Sequence, residues 1–189
     1  MAIHPIKAST HYIVAHLIKK YVDNPETVID MGGIGTLKYF LPSCKIVDAN
    51  IKTGIDATNL PYKDNSFDIA CSVATLEHVR DQKKFLSESI RVAKYAVVHY
   101  FPLGEDARTL EKFRATLKNK HDCVIPHDEL IQEFLQQYPT LTLEDYTSCD
   151  ALLLQLPTFY KGIIGEDIYE MSYKMSNKRY GVLLHGRIK

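Results

Sequence analysis

Val28-Ile29-Asp30-Met31-Gly32-Gly33-Ile34-Gly35-Thr36 is the stretch that decides the fold. An apolar pair runs into an acid, and glycines follow at positions 32, 33 and 35. The pattern predicts a buried parallel strand that enters a tight turn, with a helix beyond it. Glycine suits such a turn because it tolerates positive φ and lets a ligand come close to the backbone. The next apolar run, Lys45-Ile46-Val47, ends in a second acid, Asp48. An acid roughly 20 residues past a glycine turn is placed to grip a nucleoside ribose. The chain up to residue 60 therefore reads as a nucleoside holder.

The details argue against a nicotinamide or flavin dinucleotide and exclude a Walker loop. In the dinucleotide pattern G-x-G-x-x-G, counted from Gly33, the third glycine would fall at Lys38. Asp30 would place negative charge where a pyrophosphate has to bind. No G-K-[ST] follows the glycines, so this is not a Walker loop. A cationic nucleoside would welcome Asp30. S-adenosylmethionine, with a sulfonium, an ammonium and no phosphate, has that character.

Bulk properties set outer bounds. A chain of 189 residues fits one domain, and 46% hydrophobic residues suffice for a sizeable core. Lys+Arg and Asp+Glu balance at 23 each, so net charge points to neither a nucleic-acid nor a membrane partner. The apolar runs fall short of a membrane span, and Met1-Ala2-Ile3-His4-Pro5 lacks a signal-peptide layout. A cytoplasmic protein is expected. Cys44, Cys71, Cys123 and Cys149 are scattered, which suits reduced thiols.

Apolar positions Ile13, Val14, Leu17, Ile18 and Tyr21 predict a helix over 8–22, stopped at Asn24-Pro25. Strands are expected near 27–31, 44–48, 67–73, 95–101, 140–147 and 180–188. Helices are expected at 36–41 (short), 81–93, 105–119 and 127–137, with two more over 150–177 broken at Gly162–Gly165. The expected fold is α/β: a Rossmann-like, doubly wound, mostly parallel sheet with an antiparallel last strand and a helical insertion before it. One domain would fill 1–189, with a cofactor core at 23–101 and lid or acceptor-side elements at 104–138 and 150–177. Ligands in such sheets bind beyond the carboxyl ends of the strands, where Asp30, Asp48 and Ser72 stand.

Two further segments carry a resemblance. Ile55-Asp56-Ala57-Thr58-Asn59-Leu60-Pro61-Tyr62-Lys63-Asp64-Asn65-Ser66-Phe67-Asp68 resembles the signature D-A-x-x-L-P-F-x-D-x-S-F-D, and Ser72-Val73-Ala74-Thr75-Leu76-Glu77-His78-Val79 resembles S-x-x-x-L-E-H-V. Both are signatures of class I S-adenosylmethionine-dependent methyltransferases of the type 11 kind, and the likeness extends over 27–101. It implies that Asp30 and Gly32 lie under the methionine part of the cofactor, with Gly33 and Gly35 in the same turn. It implies that Asp48 holds the ribose hydroxyls, that Asp56 and the Ala57 amide read the adenine edge, and that the Ser72 carbonyl faces the ammonium. Glu77 and His78 would begin the next helix, near the methyl group. The family turn usually runs D-x-G-x-G-x-G, whereas Asp30-Met31-Gly32-Gly33-Ile34-Gly35 either lacks one residue or carries Ile34 in place of a glycine.

The residue chemistry agrees with this reading. A carboxylate such as Asp48 can accept from both ribose hydroxyls, and Leu60-Pro61-Tyr62 offers an apolar wall for a flat ring. The methyl donor carries its own leaving group, so proximity and exclusion of water do most of the catalysis. A general base is needed only if the acceptor holds its proton at neutral pH. His99 at the end of a strand is a candidate, although a core role suits it better. His121-Asp122-Cys123 with His127-Asp128-Glu129 matches no standard metal spacing, and no metal is expected. The leading expectation is methyl transfer to a small-molecule acceptor. An RNA or protein methyltransferase, or a cofactor-binding chain without activity, stay open. The apolar positions of 150–177 would line the acceptor pocket or form a homodimer interface.

Overall fold

The computed structural model describes residues 5–102, 128–138, 141–146 and 180–186. Helix α1 (Pro5–Tyr21) has proline at its first position, where the missing N–H is no loss, and Lys19 and Lys20 in its last turn against the helix dipole. Strands β1 (Thr27–Met31), β2 (Lys45–Ala49), β3 (Phe67–Val73) and β4 (Ala93–Pro102) follow. Helix α2 (Gln82–Val92) precedes β4, and α3 (Asp128–Gln137), β5 (Leu141–Tyr146) and β6 (Tyr180–Gly186) complete the described elements.

The two faces of the sheet are covered by different helices, which is why the strands read as apolar runs. On one face α1 packs Ile13, Val14, Leu17 and Ile18 against Val28, Ile69, Cys71, Val98 and Tyr100. On the other, Phe85 and Leu86 of α2 and Phe134 of α3 meet Ile29, Met31, Ala70, Val97 and Phe101. Neighbours along one strand thus go to opposite faces, as the pleat requires.

The sheet order is β2-β1-β3-β4-β6-β5. The first four strands are parallel, so their carboxyl ends share one edge, with Asp30 beside Asp48 and Cys71. The expected fold class is corrected at the other side of the sheet. The picture of a mostly parallel sheet closed by an antiparallel last strand does not describe how that strand joins. β6 is interior: it pairs antiparallel with β4 on one flank and with β5 on the other, and β5 is the edge. The physical reason is that β4 ends the parallel run with one open side, and β6 saturates it along seven register pairs from Ala96↔Gly186 to Pro102↔Tyr180. The helical insertion expected over 150–177 and the helix expected at 105–119 lie outside the described residues.

Two smaller expectations also change. The short helix expected at 36–41 is a single 3-10 turn, Leu37–Tyr39. Glu77 and His78 do not begin a helix; they belong to the 3-10 turn Leu76–His78. The helix α2 starts later, at Gln82, because the Asp81 side chain accepts from the Lys84 amide and caps it there.

Candidate functional site

The edge built by β1, β2 and β3 is assembled around the glycine turn. The Gly32 amide donates to the Ala49 carbonyl at 2.7 Å, and the Gly33 amide donates to the Asp30 carbonyl at 2.9 Å. Asn50 anchors the turn from the other side: its side-chain amide donates to the Gly33 carbonyl, and its Oδ1 accepts from the Lys52 and Thr53 amides. Gly32 stands at φ +91°, and a Cβ there would lie 2.3 Å from the Thr75 methyl. At Gly33 a Cβ would lie 2.4 Å from Asp48 Oδ1 and 2.6 Å from Asp30 Cγ. Only a residue without a side chain fits between the two acids. Gly35 also has positive φ, +80°.

Asp30 and Asp48 are register partners on neighbouring parallel strands. Asp30 is 1% exposed. Among the described residues, Asp30 Oδ2 and Asp48 Oδ1 are buried oxygens without a hydrogen-bond partner. Burial first, and then the Asp48 carboxylate, push the Asp30 carboxyl up to about 7. Buried acceptors of this kind are costly when left unmet, and they are matched by a ligand that brings donors.

At the end of β3 the Ser72 hydroxyl is spoken for. Ser89 Oγ donates to the Leu86 carbonyl at 2.6 Å, so it accepts from His99 Nε2–H at 2.8 Å. His99 Nδ1 then accepts from Ser72 Oγ, also at 2.8 Å. Burial holds the imidazole neutral, with its pKa lowered to about 3. His99, Tyr100 and Phe101 are buried, so His99 is a satisfied core histidine and is not poised to move protons at neutral pH. Beyond β3, Ala74 takes φ +49°, where a side chain is strained, and its amide donates to the Tyr100 carbonyl at 2.8 Å. That bend delivers Thr75 against Gly32. Glu77 is 2% exposed, whereas His78 faces solvent.

Asp56 is exposed, and its Oδ1 accepts from both the amide and the hydroxyl of Thr58 at 2.8 Å. Those bonds hold its carboxyl below the ordinary range. Ala57 is half-buried and packs on the α2 side of the core with Ile55 and Tyr62. The wall expected from Leu60-Pro61-Tyr62 is partly internal: Leu60 is buried, and Tyr62 packs edge-on to Phe67 at 4.9 Å between ring centres.

The structure thus brings Asp30, Gly32, Gly33, Gly35 and Asp48 into one cluster. Asp56 and Ala57 lie on the loop after β2, Ser72 points toward α2, and Glu77 and His78 sit on the loop that carries Thr75. Sequence reasoning passed over Asn50 and Thr75, which fix the turn. The cue for Asn50 was a turn-forming residue two positions past Asp48, with Thr53 three further on. It also passed over Arg91. That guanidinium binds both Glu88 oxygens at 2.7 Å, the Tyr62 carbonyl, the Leu60 carbonyl and Asp64, while Glu88 accepts from the Leu60 amide. Asp68 Oδ2 likewise accepts from the amides of Glu26 and Thr27 at the start of β1.

A family model described as a methyltransferase domain matches residues 38–101. Norajmaline N-methyltransferase of Rauvolfia serpentina is 55% identical over 38 residues, which cover 20% of this chain and 13% of that protein. Ajmaline N-methyltransferase of the same plant is 45% identical over the same extent. Among solved structures, phosphoethanolamine N-methyltransferase 2 of Haemonchus contortus, bound to S-adenosylhomocysteine, superposes with a TM-score of 0.61 at 14% identity. That alignment covers 97% of this chain and 57% of that one. An S-adenosylmethionine-dependent methyltransferase of Thermotoga maritima gives 0.59 at 16% identity, covering 96% and 91%. At these identities the structural likeness shows the fold. Measured against the plant enzymes, the matched stretch spans 13% of their length.

Proposed function

We infer that this chain, a class I S-adenosylmethionine-dependent methyltransferase by its matched domain and its fold, transfers a methyl group from S-adenosylmethionine to a small-molecule acceptor. One observation carries the reading: two register-paired acids under a side-chain-free turn, with buried oxygens that lack donors among the described residues. The ribose hydroxyls and the ammonium of S-adenosylmethionine are such donors, and it brings no phosphate to be repelled. The bound cofactor supplies an activated methyl on a sulfonium. In this reading Asp48 holds the ribose, and Asp30 with Gly32 lies under the methionine part. Gly33 and Gly35 shape the turn, Asp56 and the Ala57 amide meet the adenine, and the Ser72 carbonyl accepts from the ammonium. Glu77 and His78 line the side where the acceptor arrives. The contribution of these residues is orientation and exclusion of water, which is worth most when the reacting groups are already aligned.

A small-molecule acceptor is supported by the names of the plant relatives, which are alkaloid N-methyltransferases. Residues 104–138 and 150–177 would complete the acceptor side, and 150–177 could alternatively join two copies in a homodimer. Phe159→Ala is expected to lower acceptor turnover and leave nucleoside affinity alone; dissociation of a dimer with turnover intact would assign the segment to an interface. A cytoplasmic location belongs to the same reading. It is supported by free thiols at Cys44 and Cys71, and no described helix is long and apolar enough to cross a membrane.

Calorimetric titration with S-adenosylhomocysteine tests the reading directly. Binding to the wild type and its weakening in Asp48→Ala are expected. A folded wild type that takes up no nucleoside would overturn it. Binding without turnover on any small acceptor would favour the second reading, a nucleoside-binding chain without activity, to which the irregular glycine turn points. Turnover on RNA or protein would replace the acceptor class.

A further inference from the structure

We propose that in the ligand-free protein Asp30 and Asp48 share one proton, and that the nucleoside expels it on binding, so that cofactor affinity depends on pH through the neutral range. This rests on the reading of the β1–β2 edge as the nucleoside site. The two residues are direct register partners on parallel strands, which lie roughly 4.8 Å apart. Their carboxyl groups converge: the single point above Gly33 where a Cβ would stand touches both Asp48 Oδ1 and Asp30 Cγ. Each acid also has a buried oxygen with no described partner. Two carboxylates so placed, one of them fully buried, do not both ionise readily; one proton between them satisfies an oxygen on each side.

Among the described residues, no cation pairs with either acid at close range. Across the β1–β3 pairing Asp30 faces Cys71, whose thiol is driven up by burial and by the fields of both acids, and so stays uncharged. Lys38 is exposed; its Nζ lies 3.9 Å from the Cβ position of Gly35, on the side of Asp48 Oδ2. The loop that meets Gly32 through Thr75 carries one more acid, the buried Glu77. Burial, and then the neighbouring Asp48 carboxylate, raise the Asp30 carboxyl in keeping with this arrangement. A bound nucleoside would bring hydroxyl and ammonium donors, which favour the carboxylate form. The shared proton then leaves for the buffer.

Two measurements on the full chain test this. The first is carbon-13 NMR of aspartate carboxyls in the ligand-free protein. One carboxyl is expected to titrate near neutral pH, to vanish in Asp30→Asn and to move downward in Asp48→Asn. If every aspartate instead titrates below about pH 5, the shared proton does not exist. The second is calorimetry with S-adenosylhomocysteine in two buffers of different ionisation heat. At about pH 6 the wild type is expected to release close to one proton more than Asp30→Asn, since the ligand's own amine cancels in the comparison. The wild-type Kd should rise about tenfold from pH 8 to pH 6 relative to that variant. Equal proton release and parallel pH profiles would overturn the expulsion step. Should the nucleoside fail to bind while the neutral titration is present, the nucleoside reading and the expulsion fall together, and the shared proton stands.

Discussion

Two acid-rich regions of this molecule look alike in sequence and behave oppositely in the fold. In the segment 56–68, with its partners on α2, the acids are met. Asp56 is bonded to Thr58, Asp64 and Glu88 to Arg91, and Asp68 to the amides that open β1. At the glycine turn, Asp30 and Asp48 keep buried oxygens without partners among the described residues. The segment with the longest family signature is therefore largely a clamp that holds a loop onto α2 and onto the start of β1. The shorter glycine stretch leaves polar groups waiting. A satisfied acid stabilises the fold, and an unsatisfied buried one costs stability that a ligand can return.

That contrast breaks most sharply at Gly33. A Cβ there would lie 2.4 Å from Asp48 Oδ1, so Gly33→Ala must push the two acids apart. Nucleoside affinity is expected to fall at least about 100-fold, with stability lowered by about 1–3 kcal/mol from overpacking. Calorimetry and thermal melting on the same preparation check both. Unchanged affinity would mean that the ligand does not depend on the pair.

Next comes Asp48→Ala, which should cost about 1.5–3 kcal/mol of nucleoside binding through lost charge-assisted bonds. The melting temperature should change little, because Asp48 stands at the end of β2 and outside the packed core. A clear fall in melting temperature would move Asp48 into the satisfied class.

Arg91→Ala is expected to do the reverse. It strands Glu88 and the carbonyls of Leu60 and Tyr62, and should lower stability by about 1–2 kcal/mol, discounted because the guanidinium is part-exposed. Nucleoside affinity should follow only weakly. The smallest effect is expected from Asp68→Ala: about 1 kcal/mol of stability, with binding unchanged. Any loss of affinity there larger than the loss of stability would show that the clamp reaches the site.

The same contrast explains what was legible beforehand. Strands buried on both faces leave apolar runs, so β1, β3 and β4 could be read from Val28-Ile29, the stretch at 67–73 and the stretch at 95–101, and the half-buried edge strand β2 from Ile46-Val47. The glycines and the acid at the end of the second run marked the turn and its partner. What escaped depends on contacts far apart in the chain. Nothing local to Arg91 says that it grips carbonyls 29 and 31 residues away. Nothing local to residues 180–186 says that they lie between β4 and β5 and not at the edge. His99 was legible as a strand residue, but its neutrality follows from Ser72 and Ser89 arriving on either side of the ring. Glu77 and His78 fit a helix start by composition; the cap at Asp81 decides otherwise.

The position of β6 also has a consequence in time. Synthesis runs from the amino end, so β1 to β4 can pair and collect their helices while residues 180–186 are still unmade. Throughout that interval the outer side of β4 presents bare backbone groups, and β5, already made, has no strand to pair with until β6 emerges. An open strand edge is a template for pairing with another chain. Chains halted before residue 180 are thus expected to aggregate through β4, and a synthetic peptide spanning 180–186, added in trans, should compete with that self-association.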